Sequence, residues 1–291
     1  MRANLAALCL SILIGATVCS AQSAPQPNVP SAKQADVSYV YCSGFFSDPK
    51  IPDDIRVISG EQSDYKIAFA HGDYVFVNRG EDKGVKVGDR FSIVRPDTDP
   101  ANEWFTGQPK LMKAMGTLYR DAGVVRVVNV QPKVSVAEVL FSCDYIQRGD
   151  IARPFEERPT PPFKDPAAFD HFAPVSGKPV GTVISAFDYH QLLGRGDTMY
   201  VNVGAAKGVK VGDYMRVFRY QGTDTAIASE AKGYQYKIYG FGSSPTRYEW
   251  KDLPREVLGE GIVLNVTKNA AAVLITYSTV AMFAGDYVEG E

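Results

Sequence analysis

The sequence predicts an all-β protein, built as two tandem duplicated small β-barrel-like domains joined by a Pro-rich linker. Three observations carry that reading. The block Gly72–Arg95 returns as Gly196–Arg219 with 13 identities in 24 positions, so that GDYVFVNRGEDKGVKVGDRF is answered by GDTMYVNVGAAKGVKVGDYM. Gly-Asp pairs fall at Gly72, Gly88 and Gly149 and then again at Gly196, Gly212 and Gly285. Between the copies, residues 153–179 hold seven prolines.

Taken in order, residues 1–21 read as a signal peptide. Arg2 is their only charge, Leu5–Val18 is an apolar run of 14 residues, and small residues follow at Cys19, Ser20 and Ala21. A membrane span needs about 20 apolar residues, whereas a cleaved leader suits a shorter core. Cleavage is placed after Ala21, with Cys19 at the −3 position. The alternative is a lipid anchor through Cys19, against which stands the bulk of Val18. No second apolar run of membrane length follows, so the mature chain is expected to be exported to the periplasm or cell envelope without a transmembrane segment.

Residues 22–50 are expected to form a flexible lead-in and an N-terminal strand, with YVYC at 39–42 in extended form. Residues 51–153 then make the first β-domain, 154–179 the linker and 180–291 the second β-domain. Within the domains, YVFV, RFSIV, VVRVVNV, MYVNV and YMRVF are rich in Val, Tyr and Phe and bounded by glycine, which is the signature of strands. The turns between them are assigned to Gly72-Asp73, Gly88-Asp89, Gly149-Asp150, Gly196-Asp197, Gly212-Asp213 and Gly285-Asp286, with further turn glycines at Gly84 and Gly208. Glycine supplies the positive φ that tight turns need, and aspartate is expected to bond backbone N–H groups two residues on. A chain that doubles back this often builds a small curled sheet or barrel.

The similarity resumes at Ala122 and Leu258, where the offset between copies has risen from 124 to 136. The second copy therefore carries a 12-residue insertion, which falls in the aromatic stretch GYQYKIYGFGSSPTRYEW at 233–250. Helical signal is thin, confined to a turn or two in FDYHQLLG at Phe187 and PAAFDHF at Pro166. The proline content of 154–179 favours a semi-rigid spacer. The runs YVYC and LFSC could also pair with other chains as edge strands.

Formal charge is −2, and −3 once Arg2 is removed, with no basic block. Nucleic acid and anionic membrane surfaces, which want concentrated positive charge, are therefore excluded as partners. Of four cysteines, Cys42 and Cys143 remain after the leader. In an oxidising compartment they read as one structural disulfide, tying the N-terminal strand to the end of the first barrel. The alternative, a redox or metal pair, lacks both CxxC spacing and a neighbouring histidine.

The pattern VNRGxxxGVKVGDRFxVxR, followed by a VVxV strand, a short alternating strand and a closing Gly-Asp, resembles two related groups. One is the C-terminal β-domain of bacterial flagellar assembly protein T. The other is a β-repeat of uncharacterised exported bacterial proteins, some of which also carry LysM modules. The likeness covers most of 56–154 and 180–291 and implies a non-catalytic β-domain of the cell envelope. The chain has no LysM segment and lacks the flagellar protein's other domains, so no flagellar role and no binding residue is transferred.

Catalytic patterns are missing from the sequence. Its three histidines, His71, His171 and His190, form no HExxH or paired metal spacing, and no GxSxG elbow appears. Cys143, in FSCDY, lacks the histidine–glycine context of a transpeptidase cysteine. Gly80, Gly84 and Gly88 complete neither GxxxxGK[ST] nor GxGxxG. The two RGD tripeptides, at Arg148 and Arg195, fall on Gly-Asp turns, and the six turn aspartates lack the close spacing of a calcium loop. No enzyme, cofactor or metal is expected. Aromatic residues on connections are the candidate contacts: Trp104 and Phe105 in the first copy, Tyr248 and Trp250 in the second. Tyr234–Phe241 alternates well enough to be a hairpin with cross-strand tyrosines. The expected function is a protein-interaction or scaffolding module whose partners are envelope proteins; the alternative is binding of peptidoglycan or another glycan.

Overall fold

The computed structural model describes residues 34–97, 104–164, 169–220 and 254–291. The leader, Tyr234–Phe241, Tyr248 and Trp250 lie outside the described residues, as does the first part of the helical turn expected from Pro166. The described chain is mostly β. Its strands are β1 (Phe45–Ser47), β2 (Val57–Gly60), β3 (Ala68–Phe69), β4 (Tyr74–Val77), β5 (Arg90–Asp97), β6 (Thr117–Val130), β7 (Ser135–Ser142), β8 (Ile146–Gln147) and β9 (Ile151–Pro154), then β10 (Val180–Ala186), β11 (Thr198–Val201), β12 (Tyr214–Tyr220), β13 (Arg255–Val266), β14 (Ala271–Ser278) and β15 (Tyr287–Gly290). Two short helices accompany them, α1 (Val37–Tyr41) and α2 (Gln108–Met115). None of these helices is long and apolar enough to cross a membrane.

Strands β10-β11-β14-β13-β12-β15 close into an antiparallel six-stranded barrel, with β15 pairing back onto β10 through Gly181 and Val288. The first half forms a sheet in the corresponding order, β2-β4-β7-β6-β5-β9, with β1 added along the start of β6. Its two end strands meet through a single bridge, Arg56 to Ile151, and through the Val57 N–H donating to the Asp150 carbonyl at 2.9 Å. Register follows the hydrophobic alternation. In β4, Val75 and Val77 are buried while Tyr74 is exposed and Phe76 half-buried. Each half encloses its own core: Val57, Phe69, Ile93 and Val139 belong to the first, and Val183, Met215, Leu258 and Val288 to the second.

YVYC does not form a strand. Asp36 caps α1 by accepting from the Ser38 N–H at 3.0 Å, and Val40 packs against Ile262, Leu264 and Leu274 of the barrel. The local extended preference yields to a cap and a tertiary contact. Residues 140–142 of LFSC end β7, where Phe141 and Ser142 pair with β6, while the register with β4 stops at Glu138. The residues at Phe187 make a single 3₁₀ turn, Phe187–Tyr189. Helix α2 has signals the sequence reading passed over: Pro109 in its first turn, Gly116 just past its end, and Leu111 and Met115 spaced to share a face.

The described parts of the Pro-rich stretch lie against the sheets. Arg158 donates to both Asp121 carboxylate oxygens at 2.9 and 3.0 Å, and Lys164 reaches Glu260 and Glu291 at 2.6 Å each. Further on, the Arg255 Nη2 donates to the carbonyls of Ala173 at 2.8 Å and Pro174 at 2.7 Å.

Candidate functional site

All six Gly-Asp turns have one geometry. The glycine φ runs from 86° at Gly72 to 104° at Gly285, and the aspartate N–H donates to the carbonyl three residues back. The aspartate carboxylate accepts from that same residue's N–H, at Ala70, Lys86, Gln147, Gly194, Lys210 and Phe283, each at 2.8 or 2.9 Å. The bond therefore runs back three residues instead of forward two. Each corner is also stitched to a neighbouring strand. At Gly72-Asp73 the glycine N–H donates to the Val139 carbonyl at 2.9 Å and the Asp73 carbonyl accepts from the Val139 N–H at 2.8 Å. The remaining turn glycines, Gly84 and Gly208, cap 3₁₀ turns with φ of 78° and 83°.

Asp73 also accepts from the Lys66 Nζ at 2.6 Å, and two of the aspartates bind an arginine. The Arg95 guanidinium donates to Asp150 through Nε at 2.7 Å and Nη2 at 2.9 Å, and Arg219 repeats this on Asp286 at 2.7 and 2.8 Å. The aspartate side chains are 1% and 0% exposed. Burial acts to lower the Arg95 pKa, but the Asp150 hydrogen bond, the larger effect, raises it. Arginine ends both copies of the repeated block, but the sequence does not say which carboxylate answers it. The carboxylate of the first RGD tripeptide is thus enclosed, and the framework uses it. Among the described residues, no group of three or more His, Cys, Asp and Glu side chains could hold a metal ion.

Where the two halves meet, Cys42 and Cys143 form a disulfide with a Cα–Cα distance of 5.4 Å. It joins the end of α1 to the residue following β7. The chain just beyond is bonded in both directions. The Gly44 N–H donates to Asp121 at 2.9 Å, and the Tyr200 hydroxyl donates to the Ser43 carbonyl at 2.9 Å. Burial pushes the Tyr200 hydroxyl pKa well above the usual tyrosine range, helped by the nearby charge of Asp121.

The apolar junction sets Phe46, Met115 and Leu118 of the first half against Ile184, Tyr200, Ala270 and Ala272 of the barrel. Phe46 meets Tyr200 edge-on, with ring centroids 5.7 Å apart. Gln108, buried at the start of α2, donates to the Ile184 carbonyl at 2.6 Å and accepts from the Trp104 N–H at 2.6 Å. Phe105 packs against this same cluster, so one expected contact residue is part of the junction. Trp104 beside it is half-buried. Charge also crosses the boundary, as Arg120 bonds Asp97 of β5 and, at 2.6 Å, Asp188 of the 3₁₀ turn.

Two clefts of about 240 Å³ open beside the junction. One lies between the disulfide with Tyr39 and the barrel residues Phe187, His190 and Asp197. The other lies between Leu111 with Met115 and Asn202, Lys207 and Lys268. His190 Nδ1 stands 4.0 Å from Asp197, and the His71 Nδ1 is bonded to the Leu140 carbonyl at 2.6 Å. The lining of both clefts mixes apolar and polar side chains. No protein-family model matches the sequence, and no curated protein matches it.

Proposed function

We propose that this is a non-catalytic exported protein of the cell envelope, acting as a protein-interaction or scaffolding module. Its two halves are read as tandem copies of one small β-barrel domain, with the Pro-rich stretch as the connection. Supporting the duplication are the matched strand order, the six equivalent Gly-Asp corners and the two equivalent Arg–Asp pairs. The resemblance to the β-domain of flagellar assembly protein T and to the β-repeat of exported bacterial proteins fits the same reading. One observation carries the function. A barrel face, Ile184, Tyr200, Ala270 and Ala272, already serves inside the chain as an apolar docking surface for another β-unit. The shared aspartates and arginines, by contrast, are committed to corners and buried pairs.

Cross-linking in intact envelopes tests this reading. Capture of a defined protein partner is expected, and capture of polysaccharide alone would overturn it. A second reading, glycan binding, draws on the half-buried Trp104 and on the cleft that sets Tyr39 and Phe187 near His190 and Asp197. Aromatic faces beside hydrogen-bonding side chains suit sugar rings. Salt-resistant co-sedimentation with purified peptidoglycan sacculi, lost in Trp104→Ala, would put that reading first.

A further inference from the structure

The two halves treat one equivalent face differently. Ile184, Tyr200, Ala270 and Ala272 of the barrel are between 0% and 2% exposed because the first half covers them. Their counterparts by register in the first half are Ile58, Phe76, Val134 and Val136. Among the described residues these are less enclosed. Ile58 is 39% exposed, and Phe76, paired across strands with Val136, is half-buried. Tyr74, the counterpart of buried Thr198, is also 39% exposed.

Neighbouring positions show that this apolarity is not general. In the barrel, α1 covers Ile262, Leu264 and Leu274. Among the described residues the first half has no such helix on that face, and the counterparts of Ile262, Leu264 and Leu274 are Arg126, Val128 and Glu138. Arg126 and Glu138 form a solvent-facing ion pair at 2.8 Å, and Val128 is 36% exposed. Part of the face has become polar where no cover exists. The part matching the docking patch has stayed apolar, as a surface that meets a partner does.

The far end of the chain offers exposed apolar residues. What docks on the barrel is Phe46 of β1 opposite Leu118 of β6. At the other end of the barrel, the Val257 N–H donates to the His171 carbonyl at 2.7 Å and the Arg255 guanidinium bonds the carbonyls of Ala173 and Pro174, which ties the linker to β13. Pro174, bonded by the Arg255 guanidinium, and Pro254, the residue before that arginine, lie at this end. Both are exposed, flanked by Phe172 at 62% and Val175 at 63% exposure.

We infer that the β2–β4–β7 face of the first half docks the barrel end around Phe172, Pro174 and Val175 of a second copy of this chain. The association is head to tail and repeats the contact made inside each chain. It rests on the interaction reading above and names the partner. Because the contact is heterologous, it propagates from copy to copy instead of closing as a symmetric pair.

The test is sedimentation velocity on the purified chain with its disulfide intact, over a concentration series. Wild-type protein should sediment faster as concentration rises. Phe76→Asp and Phe172→Asp should each weaken association at least about tenfold, the loss of a hot spot. Near-UV circular dichroism checks that they fold, and Ile58→Lys replaces the first variant if it does not. An equimolar mixture of Phe76→Asp and Phe172→Asp should form one-to-one dimers and stop there, since each chain keeps the half the other lacks. A wild-type chain that stays monomeric, or a mixture that does, overturns the inference. So does continued association of Phe172→Asp alone, which would mean face-to-face pairing. If the purified chain is monomeric while envelope cross-linking still captures another protein, the interaction reading stands and only this inference fails.

Discussion

At the scale of the residue, the six turn aspartates look alike in sequence but differ in what surrounds them. Asp89 holds its corner from an exposed position, whereas Asp150 is enclosed and answers the Arg95 guanidinium with both oxygens. Asp89→Ala should therefore cost about 1 kcal/mol, the worth of one hydrogen bond. Asp150→Ala leaves Arg95 without its enclosed counter-charge and removes the same cap, so about 3–5 kcal/mol is expected. Urea unfolding of the two variants checks the contrast, and equal losses would show that the ion pair contributes nothing beyond the turn. The turns themselves were legible because glycine and aspartate have few other reasons to recur together. The arginine partners were not, since Arg95 and Asp150 lie far apart in sequence and only strand pairing brings them together.

Elements show where local preference gives way to context. YVYC has the composition of a strand, yet Asp36 and the barrel surface beneath Val40 make it a helix. The repeated glycines are more reliable guides because their constraint is steric. Gly80 and Gly204 have extended backbones, and a Cβ at either would sit 2.3 Å from a carbonyl oxygen, that of Gln131 or Thr267. Gly80→Ala should cost about 2–3 kcal/mol, the range of an overpacked site, as measured by the shift in its urea midpoint. An unchanged midpoint would mean that the turn between β6 and β7 yields freely. The disulfide acts on another element. It closes a separation of 101 residues and anchors α1, so its reduction should lower stability by about 2–4 kcal/mol. Hydrogen exchange should then rise first in residues 37–41. Uniform acceleration across the chain would instead place its effect entirely in the unfolded state.

Across the whole molecule, the repeated Gly-Asp corners were legible and the docking of the halves was not. Identity between the copies predicts equal folds, but one copy's outer face is an interior and the other's is a surface. Position 76 is phenylalanine and its counterpart, Tyr200, is tyrosine; nothing in either local sequence tells which is enclosed. The hydroxyl at 200 is the difference, since it reaches the Ser43 carbonyl across the junction. Its consequence is measurable in alkali. Burial raises the folded pKa of Tyr200 above its usual 10.0, so the group's contribution is fully present below that value. It is lost as pH rises from there towards the folded pKa, because the unfolded chain then releases a proton that the folded chain retains. Each further pH unit should cost up to about 1.4 kcal/mol. Tyr200→Phe forfeits the Ser43 bond, about 1 kcal/mol at neutral pH, but also removes this alkaline loss. The stabilities of wild type and variant should therefore converge and cross above about pH 10. Parallel declines in guanidinium unfolding at neutral and alkaline pH would mean that Tyr200 ionises freely where it stands, and that water reaches the junction of the two halves.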